Sequence, residues 1–445
     1  MLTTDNFSRD SFEARSISPE IAIELRTSNS GSMPAAPRFP AQKKSRRWTA
    51  VAWSNYWRSY NDVERLFRAA PFLESIAARS WEIAPGTTSI SRGALFLPGQ
   101  FERVTGTAYT GDPRREMAGG IVTAQPPTRG FEVRDAILLD GSLYKLGKRL
   151  DLHSRKHLPK IKRYIPRMRV EYEIECGAIY NTYDGNEFFG LWLTDDCPTY
   201  LIAQEYGVAV ATNHYGVVVA TNRNVATHIP QYEELLGMTT VRVNCAYLRK
   251  TILFDDDWGN NASKLQRFNL MREKLLGKVK LMPHPGVFIM RRDSGKARIM
   301  YNEVELAERL RERRGFRIID VTRDSVSTII STCAGAAVVI GVEGSNLAHG
   351  LMAMHAGGAL VALQPPDRFC GVLKRTTDMA GINYGFVVGQ AESGGFRVDP
   401  IEVERTLDLL PRASDIAFAE NGGKISWHVK DHTIRYRSEE CESVA

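Results

Sequence analysis

Apolar and polar residues follow two alternating rhythms in the last third of the chain. Short continuous apolar runs read as buried strands: GVFIMRR (Gly286 to Arg292), FRIIDV (Phe316 to Val321), AVVIG (Ala337 to Gly341), ALVAL (Ala359 to Leu363) and YGFVVG (Tyr384 to Gly389). Segments with helical spacing lie between them: EVELAERLRERRG, SVSTIISTCAGA, helix 345–356 and helix 367–380. Asn302 with Glu305 gives the first of these a capping-box start. Asp324 is placed to cap the second, whose Val326, Ile329, Ile330 and Cys333 share one face. Strict strand–helix alternation calls for a parallel sheet with crossover helices, a Rossmann-like unit from about residue 280 to 390.

Upstream the rhythm is less regular. Residues 1–47 include GSMPAAPRFPAQKKSRR, rich in Pro and base with no apolar period, and read as a disordered basic tail. Order begins near Trp48. From Arg92 to Leu146 short strands are broken by Gly and Pro, as in AILLDGSLYKLG, and VEYEIECGAIY (Val170 to Tyr180) is a further strand. NEFFGLWLTDDCPTYLIAQEYG reads as a helix that Pro198 kinks or restarts. GVAVAT, YGVVVAT, TVRVN and LRKTILF are strand-like, and Asn261 to Lys278 is an amphipathic helix stopped by Gly277. The expected division is a tail over 1–47, an α/β domain over 48–279 and a Rossmann-like domain with terminal helices over 280–445.

Composition fits a globular chain: 43% hydrophobic and 24% charged over 445 residues. No apolar run approaches the length that spans a bilayer, the N-terminus lacks a signal-peptide pattern, and the six cysteines form no C-x-x-C pair. The expectation is a cytoplasmic protein. The net charge of +7 is uneven: between Lys145 and Arg169 ten Lys or Arg face the single Asp151. That window is either a solvated basic loop or a patch for an anionic partner. It would allow peripheral contact with the inner membrane face, and no nucleic-acid signature accompanies it.

Candidate chemistry concentrates in IGVEGSNLAHG (Ile340 to Gly350), where a buried strand ends and a helix begins. Helix N-termini offer unpaired N–H groups and a positive dipole end, and open α/β sheets bind ligands beyond the carboxyl ends of their strands. Glu343, Gly344, Ser345, Asn346 and His349 sit at this junction. Arg291, Arg292 and Arg298 follow another strand and suit a diphosphate, while Asn302 and Glu303 read equally as a helix cap. No G-x-G-x-x-G follows the first strand of this unit and no G-x-x-x-x-G-K-[ST] occurs anywhere, so dinucleotide oxidoreductases and P-loop NTPases fit poorly.

The order strand, Arg-Arg, loop, Arg-x-x-x-Asn-Glu, then GFRIIDV, then A-x-V-x-I-G-x-x-G-S-x-L-x-H and ALVALQPP resembles glycosyltransferase family 61. The resemblance runs from about Tyr180 to Val388 and is strongest from Gly286 to Pro366. It implies an α/β, GT-B-like fold of two Rossmann-like domains facing across a cleft. It further implies inverting transfer from a nucleotide sugar, a UDP-sugar foremost, to a polysaccharide or glycoconjugate acceptor, glycan or lipid-linked. No cofactor is implied beyond the nucleotide-sugar cosubstrate, and no metal site. The chain departs from the family pattern at Glu343–Leu347, where His-Gly-Ala-Gly-Leu is usual, at Leu191 before Trp192, where a His is frequent, and at Gln364, where an acid is frequent.

Inverting transfer needs a base to deprotonate the acceptor hydroxyl. Asp195 and Asp196 are the candidates, although adjacent helical residues point about 100° apart, so at most one faces a cleft. Arg291, Arg292, Arg298, Asn302, Glu343, Gly344, Ser345, Asn346 and His349 form the expected donor site. Two rivals remain. Asp255-Asp256-Asp257 after TILF is how a metal-dependent GT-A-type transferase would hold Mg²⁺ or Mn²⁺, or else an Asp-rich turn. The basic charge also suits a non-catalytic protein that binds a nucleotide sugar or an anionic polymer.

Overall fold

The computed structural model describes residues 43–44, 68–69, 73–109, 111–139, 141–145, 148–152, 170, 172–212, 228–243, 245–256, 259–277, 279, 281–292, 298–410, 416–421 and 424–429. Most of the predicted tail, the start at Trp48, the YGVVVAT strand and most of the 145–169 window lie outside these residues. Within the tail, Lys43–Lys44 pairs antiparallel with Tyr172 and Glu173, so that part is a sheet edge.

The predicted Rossmann-like unit is a five-stranded parallel sheet in the order Arg317–Asp320, His284–Met290, Ala336–Val342, Ala359–Gln364, Asn383–Val388. Its two central strands, Ala336–Val342 and Ala359–Gln364, are buried at every position, which explains their unbroken apolar text. Val326, Ile329, Ile330 and Cys333 are all buried, as their spacing requires. Two predicted caps differ. Ser325, not Asp324, caps the helix Val326–Cys333, while Asp324 accepts from the amide of Asp320 at 2.8 Å. Asn302 makes no capping bond because its amide is drawn away to Val398, donating to that carbonyl at 2.8 Å and accepting from that N–H at 3.2 Å.

Two helices are shorter than predicted. Leu347–Ala353 replaces 345–356, and Val372–Ala380 replaces 367–380. In the second case the backbone after Pro365 and Pro366 is spent elsewhere. Thr105 N–H donates to Pro366 O at 2.7 Å and Phe369 N–H to Gly106 O at 2.8 Å, so 366–369 is bound as a strap before the helix starts.

The sheet formed by the earlier half is mixed rather than wholly parallel. Val241–Val243, Val208–Thr212, Tyr172–Ile179 and Cys245–Asp255 run parallel. Thr128–Leu139 then pairs antiparallel with Cys245–Asp255, and Ser142–Lys145 with Thr128–Leu139. In this last hairpin Leu139 stands opposite Ser142, and Gly141 has φ +75°. The predicted helix 186–207 is broken: Tyr183–Glu187 and Phe189–Leu191 precede a wide π-type turn, Trp192–Asp196, and Cys197–Tyr206 follows with Pro198 in its first turn.

These helices join the two sheets. Tyr200 and Ala203 pack on Ala178, Ala209 and Ile252 of the mixed sheet. Trp192, Leu193 and Cys197 belong instead to the largest core, with Phe268, Val287, Ile289, Leu347 and Leu360. That core crosses the predicted boundary at 279–280, and each fully buried large apolar side chain in it contributes about 1.5–3 kcal/mol.

Candidate functional site

The order of the parallel sheet reverses between His284–Met290 and Ala336–Val342, and a crevice opens at the carboxyl ends of strands at such a reversal. Arg291 leaves one strand there and Glu343 leaves the other. Gly344 between Glu343 and Ser345 has φ +147°, and a Cβ there would overlap the Nη1 atoms of both Arg291 and Arg298. Only glycine lets two guanidinium groups lie against this turn. Arg298 Nη1 donates to the Glu343 carbonyl at 2.8 Å, and Arg291 Nη1 to Asn346 Oδ1 at 3.2 Å.

The Glu343 carboxylate, 3% exposed, pairs with two guanidinium groups: Arg298 Nε at 3.2 Å and Arg368 Nη1 at 3.1 Å. Burial depresses the basicity of Arg291 to about 10, with Arg298 adding repulsion. Burial also lowers the basicity of Arg298, and Glu343 works against that. Glu343 with Arg298 and Arg368 carries one net positive charge.

A cavity of about 1000 Å³ opens on this cluster. Arg298, Glu343, Gly344, Ser345 and Arg368 line one side, together with the first turn of the helix Val372–Ala380. Asp184, Glu187, Phe188, Gly190 and Leu191 line another, and the antiparallel pair Thr87–Ile90 and Val122–Gln125 a third. The first two sides touch: a Cβ on Gly190 would stand 3.2 Å from Ser345 Cα.

Of the predicted site residues, the structure brings Arg298, Glu343, Gly344 and Ser345 to the cavity. Arg291 and Asn346 brace the turn from behind. Arg292, at φ +52°, turns away and pairs with Asp320 at 3.4 Å. The Glu303 carboxylate accepts the Arg291 and Arg292 amides at 2.6 and 3.0 Å, and Asn302 is spent on Val398. His349 lies in an aromatic box, its Nδ1 2.8 Å from Tyr232 Oη and its ring 4.8 Å from Phe189 and 4.9 Å from His228. Burial, helped by His228, holds its basicity well below the usual imidazole range.

The candidate bases are buried rather than cavity-facing. Asp196 accepts from the Thr182 amide and hydroxyl at 3.1 and 2.9 Å, and burial raises its pKa well above the carboxylate range. Asp195 contacts the Lys264 ammonium and lies 3.5 Å from Arg375 Nη2. Burial opposes its ionisation, but Lys264 and Arg375 keep its carboxyl below the usual value.

Within the aspartate triplet, Asp256 serves the fold. Asp256 is 5% exposed, takes a bidentate pair from Arg267 at 2.8 and 2.8 Å, and accepts from the Thr128 and Thr199 hydroxyls at 2.7 Å each. Its carboxylate is thereby committed, and Asp257 lies outside the described residues. No cluster of three His, Cys, Asp or Glu side chains arranged to hold a metal occurs among the described residues.

The sequence reading missed Arg368, Lys374 and Arg375, and the carboxylates Asp184 and Glu187. Arg368 follows the end of the Ala359–Gln364 strand much as Arg291 follows its own, so the same argument would have found it. Arg375 carries no such signal, because its partner Asp195 is remote in sequence.

No curated protein matches the chain. Residues 159–361 match the family described as Glycosyltransferase 61, a span that contains the Arg291 strand end, the Glu343–Ser345 turn and the helix between them. The chain therefore carries a glycosyltransferase family 61 domain over residues 159–361, and the protein is a glycosyltransferase.

Proposed function

We propose that the cavity at the Glu343–Ser345 turn takes the diphosphate of a nucleotide-sugar donor, a UDP-sugar foremost, for inverting transfer to a glycan or lipid-linked acceptor. The observation that carries this reading is the pair of guanidinium groups, Arg298 and Arg368, held on one carboxylate at the sheet's reversal point. Arg suits phosphate oxygens because its planar fork donates two bonds, and low exposure strengthens them. A volume of about 1000 Å³ lies at the upper end for small-molecule sites, so donor and acceptor sugar fit together.

In this reading the mixed sheet and its helices face the acceptor, in the manner of a GT-B enzyme. The acceptor hydroxyl attacks the anomeric carbon, its proton passes to a carboxylate, and the nucleoside diphosphate leaves. Asp184 or Glu187 is proposed as that carboxylate, since they line the same cavity as the Arg298–Arg368 cluster. The guanidinium groups stabilise the charge that develops on the leaving diphosphate. An acceptor carried on a lipid would be met at the inner membrane face.

A thermal-shift panel of UDP-, GDP- and CMP-sugars, with and without Mn²⁺, tests the donor site. Stabilisation by at least one nucleotide sugar is expected, and Arg298→Ala with Arg368→Ala should abolish it. No shift with any of them would sink the donor assignment.

A further inference from the structure

We propose that Asp195 is a positioning residue that holds Arg375 on the cavity wall as a further guanidinium for the donor diphosphate. The inference rests on the donor-cavity reading above.

Arg375 lies on the helix Val372–Ala380 and lines the cavity, with its side chain 25% exposed. Asp195 reaches it from behind, from the wide turn Trp192–Asp196, a type of helical irregularity that often marks functional positions. The carboxylate has little freedom. The Lys264 ammonium grips the oxygen that faces Arg375, and the Thr194 hydroxyl donates to the other at 3.0 Å. Lys264 is 1% exposed and is itself fixed by the Asp256 carbonyl at 3.1 Å. Asp256 is locked in turn by Arg267. Arg375 is thus braced by a chain of buried groups on a neighbouring layer.

The pairing pattern points the same way. Asp195 meets two cations, Lys264 and Arg375, as Glu343 meets Arg298 and Arg368. Each group is two cations on one buried carboxylate, and each presents a guanidinium to the same cavity. Guanidinium groups held in this way suit the oxygens of a phosphate. A diphosphate spanning both groups would meet Arg298, Arg368 and Arg375. Arg368 and Arg375 both lie beyond residues 159–361, the span that matches the family.

The test is a double-mutant cycle on the full chain, read by titration calorimetry with inorganic pyrophosphate and with UDP. Arg375→Gln should weaken both ligands about tenfold or more, the usual worth of a charge-assisted hydrogen bond. Arg375→Lys should recover part of the loss. Asp195→Asn should weaken binding in the Arg375 protein and have no further effect in Arg375→Gln. A merely structural Asp195 would lower thermal stability equally in both backgrounds without that pattern. Because Asp195→Asn strands the Lys264 charge, the cycle is repeated with Lys264→Met, where Asp195 keeps Arg375 and the Thr194 hydroxyl. Wild-type affinity in Arg375→Gln overturns the inference whatever the fate of the Asp195 variants, and so does an additive cycle. Wild-type protein that binds neither ligand overturns the donor reading and this inference with it.

Discussion

Replacing Glu343 by Gln removes one charge from the most buried part of the site while keeping its volume and one acceptor oxygen. Glu343 is 3% exposed, the Arg298 side chain 8% and the Arg368 side chain 32%. Arg368 is screened by solvent, so the cost is dominated by Arg298. Breaking a buried pair by removing one partner costs about 3–5 kcal/mol, and a residual hydrogen bond to the amide returns about 1 kcal/mol. The ligand-free variant should therefore unfold with about 2–4 kcal/mol less free energy in a urea titration. An anion restores what the substitution removes. Pyrophosphate should bind the variant about tenfold more tightly than wild type, equivalent to about 1.4 kcal/mol of added stabilisation at saturating ligand. Wild-type stability in the free variant, or weaker pyrophosphate binding, would refute the assignment of Glu343 as the shared counterion. If Glu343 also accepts bonds from the donor sugar, binding of the nucleotide sugar alone weakens while pyrophosphate binding still strengthens.

Three further outcomes follow from the same geometry. Gly344→Ala forces a Cβ onto the Arg291 and Arg298 guanidinium groups at φ +147°, and should cost about 1–3 kcal/mol in stability along with most donor affinity, checked by calorimetry. Asp256→Asn strands Arg267 and should lower unfolding free energy by about 3–5 kcal/mol, while the Mn²⁺ response of transfer stays that of wild type. His349 is held neutral in the folded state, with its basicity depressed below the unfolded value near 6.5. Its stabilising contribution is therefore complete above about pH 6.5 and is lost as pH falls, at about 1.4 kcal/mol per unit until the folded value is reached. His349→Phe should flatten part of the fall in melting temperature between pH 7 and pH 5, and an unchanged slope would count against the buried neutral imidazole. His228, depressed by the same burial, supplies part of the remaining slope.

The text of the chain by itself determined the five parallel strands after Gly286 and the turn at Glu343–Ser345. Strands buried on both faces need unbroken apolar runs, and a strand-to-helix junction in such a sheet needs small and polar residues, so both leave local marks. What the tertiary structure decided was where polar side chains are spent. Asn302 reads as a cap and is claimed by Val398, Asp256 reads as a metal ligand and is claimed by Arg267, and Asp195 reads as a base and is claimed by Lys264 and Arg375. A carboxylate or amide keeps the same local text whichever partner it finds, and those partners arrive from distant segments. The cavity is likewise a product of packing: its wall joins the Thr87–Ile90 pair, the 184–191 helices and the 368–375 segment, which only the shared core brings together.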